Sequence, residues 1–466
     1  MICDHDTIAA PATAAGGALA VIRVSGGNAL TICDRIFRGS APLADAGGYT
    51  VHYGHIMADG RTLDDVLVTV FRAPRSYTGE DAAEISCHGS QYIVTETLRL
   101  LTAAGARMAQ PGEFTIRAYL ACKLDLSQAE AVADIIASSS RASHALAANQ
   151  MRGGYSAAFD TLREKLLHLT SLLELELDFS EEEVEFADRT QLRDTMRQIK
   201  ERIDALRSSF SLGNAIKEGV AVAIVGAPNV GKSTLLNRLL NEERAMVSDI
   251  AGTTRDIIEE RANIDGIVFR FLDTAGIRST NDTLEQMGIA RTMSSIERAQ
   301  IIIRLIDASQ PAVPVSGGSP SSGQTGRKSA DTQSPDFPLR PDQTLLTVYN
   351  KIDKTPGLAL PEGAVGISAR NGDGIDDLRR ILRDAVDTEA LYHGGTVISN
   401  SRHYEALTSA SEALSAALDG LRDNLPTDLL SEEIRQVIRH LSGVTGQDIV
   451  PEEVLKTIFS KFCIGK

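Results

Sequence analysis

The segment Gly226-Ala227-Pro228-Asn229-Val230-Gly231-Lys232-Ser233 has the residue types and the spacing to hold a row of phosphates. Its glycines let backbone N–H groups wrap an anion at the start of a helix, where the helix dipole favours negative charge. At this spacing Lys232 reaches the β- and γ-phosphates of a nucleoside triphosphate, and the Ser233 hydroxyl ligates Mg²⁺. The expected phosphate cradle is Asn229, Val230, Gly231, Lys232, Ser233 and Thr234, with Lys232 also serving catalysis. The apolar run 220–225 reads as a strand leading in, and 234–240 as a helix leading out. A chance glycine-rich turn has no reason to sit between such flanks.

Three further segments follow in the order that a guanine-nucleotide site requires. Asp273-Thr274-Ala275-Gly276 closes the apolar run 267–272. Its aspartate can hold Mg²⁺ through water, and its glycine places an N–H at the γ-phosphate. Asn350-Lys351-Ile352-Asp353 closes the run 344–349. The Asp353 carboxylate can accept from guanine N1–H and from the exocyclic amine, neither of which adenine offers. A buried acceptor left unpaired is costly, so this residue selects GTP over ATP. Ser368-Ala369-Arg370 supplies the last loop on the base side. Each short segment is a weak signal alone; behind a phosphate loop and in this order they are strong.

The elements that must position these residues come from the texture of the chain. Residues 218–385 alternate apolar strands with helical segments, as in a Ras-like, mostly parallel, doubly wound sheet. Before them, 1–122 mixes β-rich runs with glycine turns and reads as an α+β domain. From 123 to 217 the spacing turns helical, with Leu162, Leu166, Leu169, Leu173 and Leu177 three and four apart. The tail, 386–466, is helical again. These textures predict a multidomain α/β protein in which two helical stretches pack as one domain and the nucleotide domain is inserted between them. Residues 310–343 are rich in Ser, Pro and Gly and poor in apolar side chains, so they are expected to be a disordered surface loop within that insert.

Composition excludes several classes. Hydrophobic residues make up 43% and charged residues 23% of the 466, the balance of a globular protein of about three domains. No apolar run approaches the ~18 residues of a membrane span, and Met1-Ile2-Cys3-Asp4-His5-Asp6 lacks the order of a signal peptide. Cys3, Cys33, Cys87, Cys122 and Cys463 are scattered and unpaired in spacing, which argues against a disulfide framework or an all-cysteine zinc site and fits a reducing cytoplasm. The net charge of −15 argues against a chain that coats nucleic acid non-specifically; an RNA partner would meet a local basic patch or be held by a second protein.

Thr253-Thr254-Arg255-Asp256, preceded by Ser248-Asp249-Ile250-Ala251-Gly252, resembles the switch I loop of the TrmE/Era-like branch of translation-associated GTPases. Three distant segments narrow the likeness: Tyr77-Thr78-Gly79-Glu80-Asp81, Pro111-Gly112-Glu113-Phe114-Thr115-Ile116-Arg117-Ala118, and the final Cys463-Ile464-Gly465-Lys466. Together they are similar to the MnmE (TrmE) family of tRNA-modifying GTPases over nearly the whole chain. Residues 310–343 look like an insertion relative to that family.

The resemblance implies a homodimer joined through N-terminal domains that bind a tetrahydrofolate derivative, in the 5-formyl or 5,10-methylene form. It also implies a heterotetramer with the FAD-dependent partner MnmG (GidA). The pair would install an aminomethyl or carboxymethylaminomethyl group at C5 of the wobble uridine of certain tRNAs, with folate as one-carbon donor. Carried over by position, the folate contacts are Arg23, Glu80, Lys123 and Lys466. A pterin offers donors to a carboxylate such as Glu80, and its glutamate tail seeks Arg or Lys. Without the resemblance, Arg23 reads as a strand-edge charge and Lys123 as a solvated helix residue. Cys463 is either packing or, with Lys461 and Lys466 nearby, a reactive thiolate.

For hydrolysis, Ile277 stands where Ras-like enzymes carry a water-orienting Gln. The resemblance implies Glu285 as a general base acting through water, although alone it reads as a solvated helix charge. It also implies K⁺ in place of an arginine finger, held by the Asn229 side chain and the carbonyls of Ser248, Ile250 and Thr253. Thr254 would complete the Mg²⁺ shell. The runner-up reading is a ribosome-assembly or signalling switch, which would have no need of a pterin site.

Overall fold

The computed structural model describes residues 6–14, 16–178, 189–241, 259–272, 293–310, 339–386, 395–448, 450–460, 462 and 465. The chain divides into two compact units, one of residues 1–137, 147–205 and 405–466, the other of 138–146 and 206–404. The expected nucleotide domain, 218–385, falls inside the second unit, and the tail after 405 clusters with the earlier helical stretch in the first.

The first unit begins with a seven-stranded sheet. Its strands are β1 (Ile8–Pro11), β2 (Leu19–Ser25), β3 (Phe37–Gly39), β4 (Thr50–Ala58), β5 (Arg61–Phe71), β6 (Ala82–His88) and β7 (Arg107–Met108), in the order β3-β4-β5-β6-β2-β1-β7. Side chains alternate as the pleat requires: Val66, Val68 and Val70 of β5 are buried while Leu67 between them is exposed. The buried face packs with α1 (Ala29–Ile36) and α2 (Gln91–Ala103). Arg23 and Glu84 pair across β2 and β6 on the other face. Gly112, at φ +70°, opens α3 (Glu113–Leu120), and a Cβ there would lie 2.9 Å from the Phe459 carbonyl, so no other residue fits easily.

The helical part comprises α4 (Leu126–Ala137), α5 (Arg141–Met151), α6 (Gly154–Asp178) and α7 (Arg189–Ser208). Along α6, Leu162, Leu166, Leu169 and Leu173 are buried as their spacing predicts. Leu177 is 38% exposed: the apolar stripe ends before the helix does.

In the second unit α8 (Phe210–Glu218) leads into β8 (Val220–Val225), whose six residues are all buried. There follow α9 (Lys232–Asn241), β9 (Glu260–Ile264), β10 (Ile267–Phe271), β11 (Ile301–Asp307), β12 (Thr344–Asn350), β13 (Val365–Ile367) and α10 (Ile375–Asp384). The sheet order is β13-β12-β11-β8-β10-β9. Every pairing is parallel except β9 with β10. Parallel strands buried on both faces read as continuous apolar runs, which is why β8 is so plain in the sequence. Because β8 has β10 on one side and β11 on the other, loops leaving its C-terminal end and those of its neighbours meet at a crevice.

Residues 340–343 belong to an ordered turn, not to the expected disordered loop. Gln343 Nε2 donates to the carbonyls of Ile296 (2.6 Å) and Ala299 (2.8 Å), and its Oε1 accepts from Arg340 N–H at 2.9 Å. One glutamine side chain thus makes three hydrogen bonds that hold this turn against Ile296 and Ala299. Residues 311–338 lie outside the described residues. The chain then returns to the first unit through α11 (Ser401–Arg422), α12 (Thr427–Thr445) and α13 (Glu452–Phe459).

Candidate functional site

The phosphate loop leaves β8 and enters α9 as the residue pattern requires. Gly226 takes φ +155° and a Cβ there would collide with the Leu305 carbonyl; Gly231 takes φ +104° and its Cβ would collide with Nδ2 of Asn350. Asn229 also sits at positive φ, +60°, a conformation asparagine tolerates better than most residues. Lys232 Nζ donates to the carbonyls of Gly226 (2.7 Å) and Ala227 (2.9 Å), so the ammonium is folded back over the loop. Burial lowers the Lys232 pKa below its usual value. A polyanion beside that ammonium would favour the charged form again.

Asn350 ties this loop to the base-side loops. It is buried, donates from Nδ2 to the Val230 carbonyl at 2.8 Å and accepts from Ala369 N–H at 2.9 Å on Oδ1. The next residue, Lys351, turns through φ +71°, and its Nζ donates to the Asn229 carbonyl at 2.9 Å. Ser368 is buried and Arg370 exposed, in a tight turn where Gly372 N–H donates to the Ser368 carbonyl at 2.7 Å. Asp353 is exposed on the short helical turn Ile352–Lys354 that follows Lys351. Asn229, Val230, Gly231, Lys232, Ser233, Thr234, Asn350, Lys351, Asp353, Ser368, Ala369 and Arg370 therefore belong to one crevice at the strand ends. Ser248, Asp249, Ile250, Ala251, Gly252, Thr253, Thr254, Asp273, Thr274, Ala275, Gly276 and Glu285 lie outside the described residues. Ser233, half-buried in the first turn of α9, is thus the one described member of the expected Mg²⁺ set, and a hydroxyl is a suitable hard oxygen donor.

Asp307 was missed by sequence reasoning. It ends β11 directly beside Asn350 in the parallel register, and its Oδ2 accepts from Lys351 Nζ at 2.6 Å. Burial pushes the Asp307 carboxyl up, but hydrogen bonds from Lys351 and Ser309 outweigh it and hold it below the usual range. The only signal in the sequence was a lone acid closing the apolar run Ile301-Ile302-Ile303-Arg304-Leu305-Ile306.

The first unit carries a second polar cluster, on the sheet face away from its core. Arg23 Nε and Nη2 donate to Glu84 Oε1 at 2.9 and 2.7 Å, its Nη1 reaches the Gly465 carbonyl at 3.4 Å, and its guanidinium lies 5.4 Å from the Tyr77 ring centre and 5.6 Å from that of Phe114. Glu80 accepts from Ser25 Oγ at 2.8 Å and from Arg117 Nη1 at 3.2 Å. Arg117 is buried, and also binds Asp6 (2.7 Å) and Glu113 (3.2 Å). The Arg107 hydrogen bond, opposed by burial and helped by Arg117, holds the Asp6 carboxyl below its usual range. Lys123 is exposed and donates to the Pro74 carbonyl at 2.8 Å. Arg23 and Glu80 so belong to one neighbourhood with the C-terminal Gly465, whereas Cys463 and Lys466 lie outside the described side chains. The roles of Ser25, Glu84 and Arg117 beside Arg23 and Glu80 carried no local signal, because those contacts join residues tens of positions apart.

A phosphate loop, an Asn-Lys-x-Asp corner and a Ser-Ala-Arg loop held by one asparagine at the ends of a parallel sheet define a P-loop GTPase, an enzyme that hydrolyses GTP with Mg²⁺. Comparison with known proteins narrows the class. The MnmE helical domain family matches residues 126–463, and the family of the GTP-binding protein TrmE N-terminus matches 7–123. The tRNA modification GTPase MnmE of Cytophaga hutchinsonii is 49% identical over 99% of this chain and 98% of its own. The proteins of that name from Flavobacterium psychrophilum and Bacteroides thetaiotaomicron are each 47% identical, over 99% of this chain and 99% and 100% of theirs. Among solved structures, the G domain of the T. maritima FeoB iron transporter matches at a TM-score of 0.23 with 16% identity, over 36% of this chain and 98% of that one. The chain belongs to the MnmE family of tRNA modification GTPases. Among the described residues no helix is long and apolar enough to cross a membrane.

Proposed function

We propose that this GTPase acts in the cytoplasm as a homodimer with the FAD-dependent protein MnmG (GidA). Together they add a carboxymethylaminomethyl or aminomethyl group at C5 of the wobble uridine of certain tRNAs. The one-carbon unit comes from a 5-formyl or 5,10-methylene tetrahydrofolate held in the N-terminal domain by Arg23, Glu80, Lys123 and Lys466. The observation that carries this reading is the Arg23–Glu84 and Glu80–Arg117 cluster, roofed by Tyr77 and Phe114 and reached by Gly465, in a unit that a GTP switch has no use for. Carboxylate and guanidinium groups with aromatic rings beside them suit a flat, polar heterocycle carrying an acidic tail.

In the nucleotide site, Lys232 neutralises the β/γ-phosphates, Ser233 with Thr254 holds Mg²⁺, and Asp353 reads guanine. Water adds to the γ-phosphorus as the bond to the β–γ bridging oxygen breaks, giving GDP and phosphate, and Glu285 accepts the water proton through a second water. The Asn229 side chain, with the carbonyls of Ser248, Ile250 and Thr253, would hold a K⁺ that supplies positive charge between the β- and γ-phosphates. Equilibrium binding of 5-formyl-tetrahydrofolate to the purified protein tests the reading. Micromolar binding that is lost in Arg23→Ala supports it, and absence of binding at near-millimolar ligand points instead to a GTP switch without modification chemistry.

A further inference from the structure

Asp307 and Lys351 form a contact that the expected GTP-binding residues leave unexplained. Three loops meet at the Lys351 ammonium. The lysine itself belongs to the base-side corner, its donor bond to the Asn229 carbonyl reaches the phosphate side at 2.9 Å, and Asp307 from the end of β11 accepts a second N–H hydrogen bond from it at 2.6 Å. Asp307 is in turn held on its other oxygen by Ser309, whose N–H and Oγ donate at 3.0 and 2.6 Å. Its side chain is 8% exposed, against 25% for Lys351. A carboxylate so placed is costly unless it is paired and hydrogen-bonded, and here Lys351 supplies the opposite charge and Ser309 two further hydrogen bonds.

From this geometry we infer that Asp307 is a positioning residue for nucleotide binding: by fixing the Lys351 ammonium it sets the spacing between the base-reading loop and the phosphate loop. The inference rests on the assignment of that crevice to GTP. The physical reason is preorganisation. A nucleotide diphosphate bridges both loops, so it gains from a spacing that is set before it arrives, whereas a ligand touching one loop alone gains little. Asparagine at 307 would keep an acceptor of the same shape but lose the charge, leaving the ammonium held by a neutral, weaker bond. Lys351, at positive φ beside Asn350, could then swing away from the Asn229 carbonyl without moving the strands.

The test is Asp307→Asn in the full chain, with GDP and guanosine binding measured by calorimetry and steady-state GTP hydrolysis run in parallel. The expected result is GDP Kd raised on the order of tenfold, guanosine Kd changed far less, and kcat at saturating GTP falling by less than the affinity. A charge pair that serves stability alone would lower the unfolding midpoint and leave the Kd of the folded protein where it was; that result overturns the proposal. So does additivity of Asp307→Asn with Lys351→Met, since a residue acting through Lys351 should lose nothing further once the ammonium is gone. Should Asp307→Asn not fold, Ser309→Ala at an exposed position removes one of the two bonds that Ser309 donates to Asp307 and should still raise GDP Kd about two- to threefold; an unchanged value there overturns the proposal as well. If the wild-type chain bound no GDP at all, the assignment of the crevice would fail, and that outcome is distinct from either.

Discussion

Replacing Asn350 by alanine tests whether one side chain joins the phosphate loop to the base-side loops. Asn350 is 3% exposed and its amide spends both ends on buried backbone: 2.8 Å to the Val230 carbonyl and 2.9 Å from Ala369 N–H. Each bond contributes ~1 kcal/mol net, and truncation also leaves a buried carbonyl and a buried N–H unpaired, at ~1–3 kcal/mol each where water cannot enter. Water entering the space that the truncated side chain vacates would offset part of this, so about 2 to 4 kcal/mol is expected from these terms. For a unit of this size, ~2–4 °C per kcal/mol puts the fall in Tm near 5 to 15 °C. Asn350→Asp keeps the acceptor for Ala369 but sets a carboxylate against the Val230 carbonyl, so it should lose stability too and not recover by charge alone. The assay is differential scanning calorimetry of the full chain with and without GDP. The transition that GDP raises reports the nucleotide-binding unit. A Tm for Asn350→Ala within about 1 °C of wild type, with GDP affinity intact, would refute the bridge.

Other consequences can be checked with equal economy. Because burial lowers the Lys232 pKa, its ammonium loses its proton as pH rises through a value below the 10.5 of an ordinary lysine. GTP affinity should therefore decline at alkaline pH earlier than a normal lysine would dictate, and a flat affinity up to that value would contradict the burial argument. Asp353→Asn should weaken GTP binding and create affinity for xanthosine triphosphate, since the amide donates where guanine needs an acceptor; unchanged GTP affinity would remove Asp353 from base reading. Hydrolysis should be faster in KCl than in matched NaCl, and Asn229→Ala should abolish most of that difference while changing nucleotide affinity less. Equal rates in the two salts would reopen the search for an arginine supplied by a partner.

The parallel sheet was legible at its centre because a strand buried on both faces appears as an unbroken apolar run, and β8 begins at the residue where that run begins. The site loops were legible for a related reason: a tight backbone approach leaves glycine, asparagine and lysine at fixed offsets, and Gly231, Asn229 and Lys351 all take positive φ. What the sequence hid is pairing at a distance. Arg117 meets Glu80 and Asp6 through the fold alone, and Asp307 meets Lys351 across neighbouring strands. Gln343 hid for another reason. It stands at the end of a Pro- and Ser-rich stretch, and only its two carbonyl partners, at Ile296 and Ala299, reveal that the turn is ordered. Leu177 continues a helical leucine spacing past the point where anything covers it.

The most direct measurement is nucleoside mass spectrometry of tRNA from the host that encodes this chain, with the gene deleted and then restored. Deletion should remove the C5 aminomethyl-type groups from wobble uridine; the wild-type chain should restore them, while Lys232→Ala, which leaves the phosphate loop without its cation, should not. Undiminished modification in the deletion strain, or full restoration by Lys232→Ala, would contradict the account.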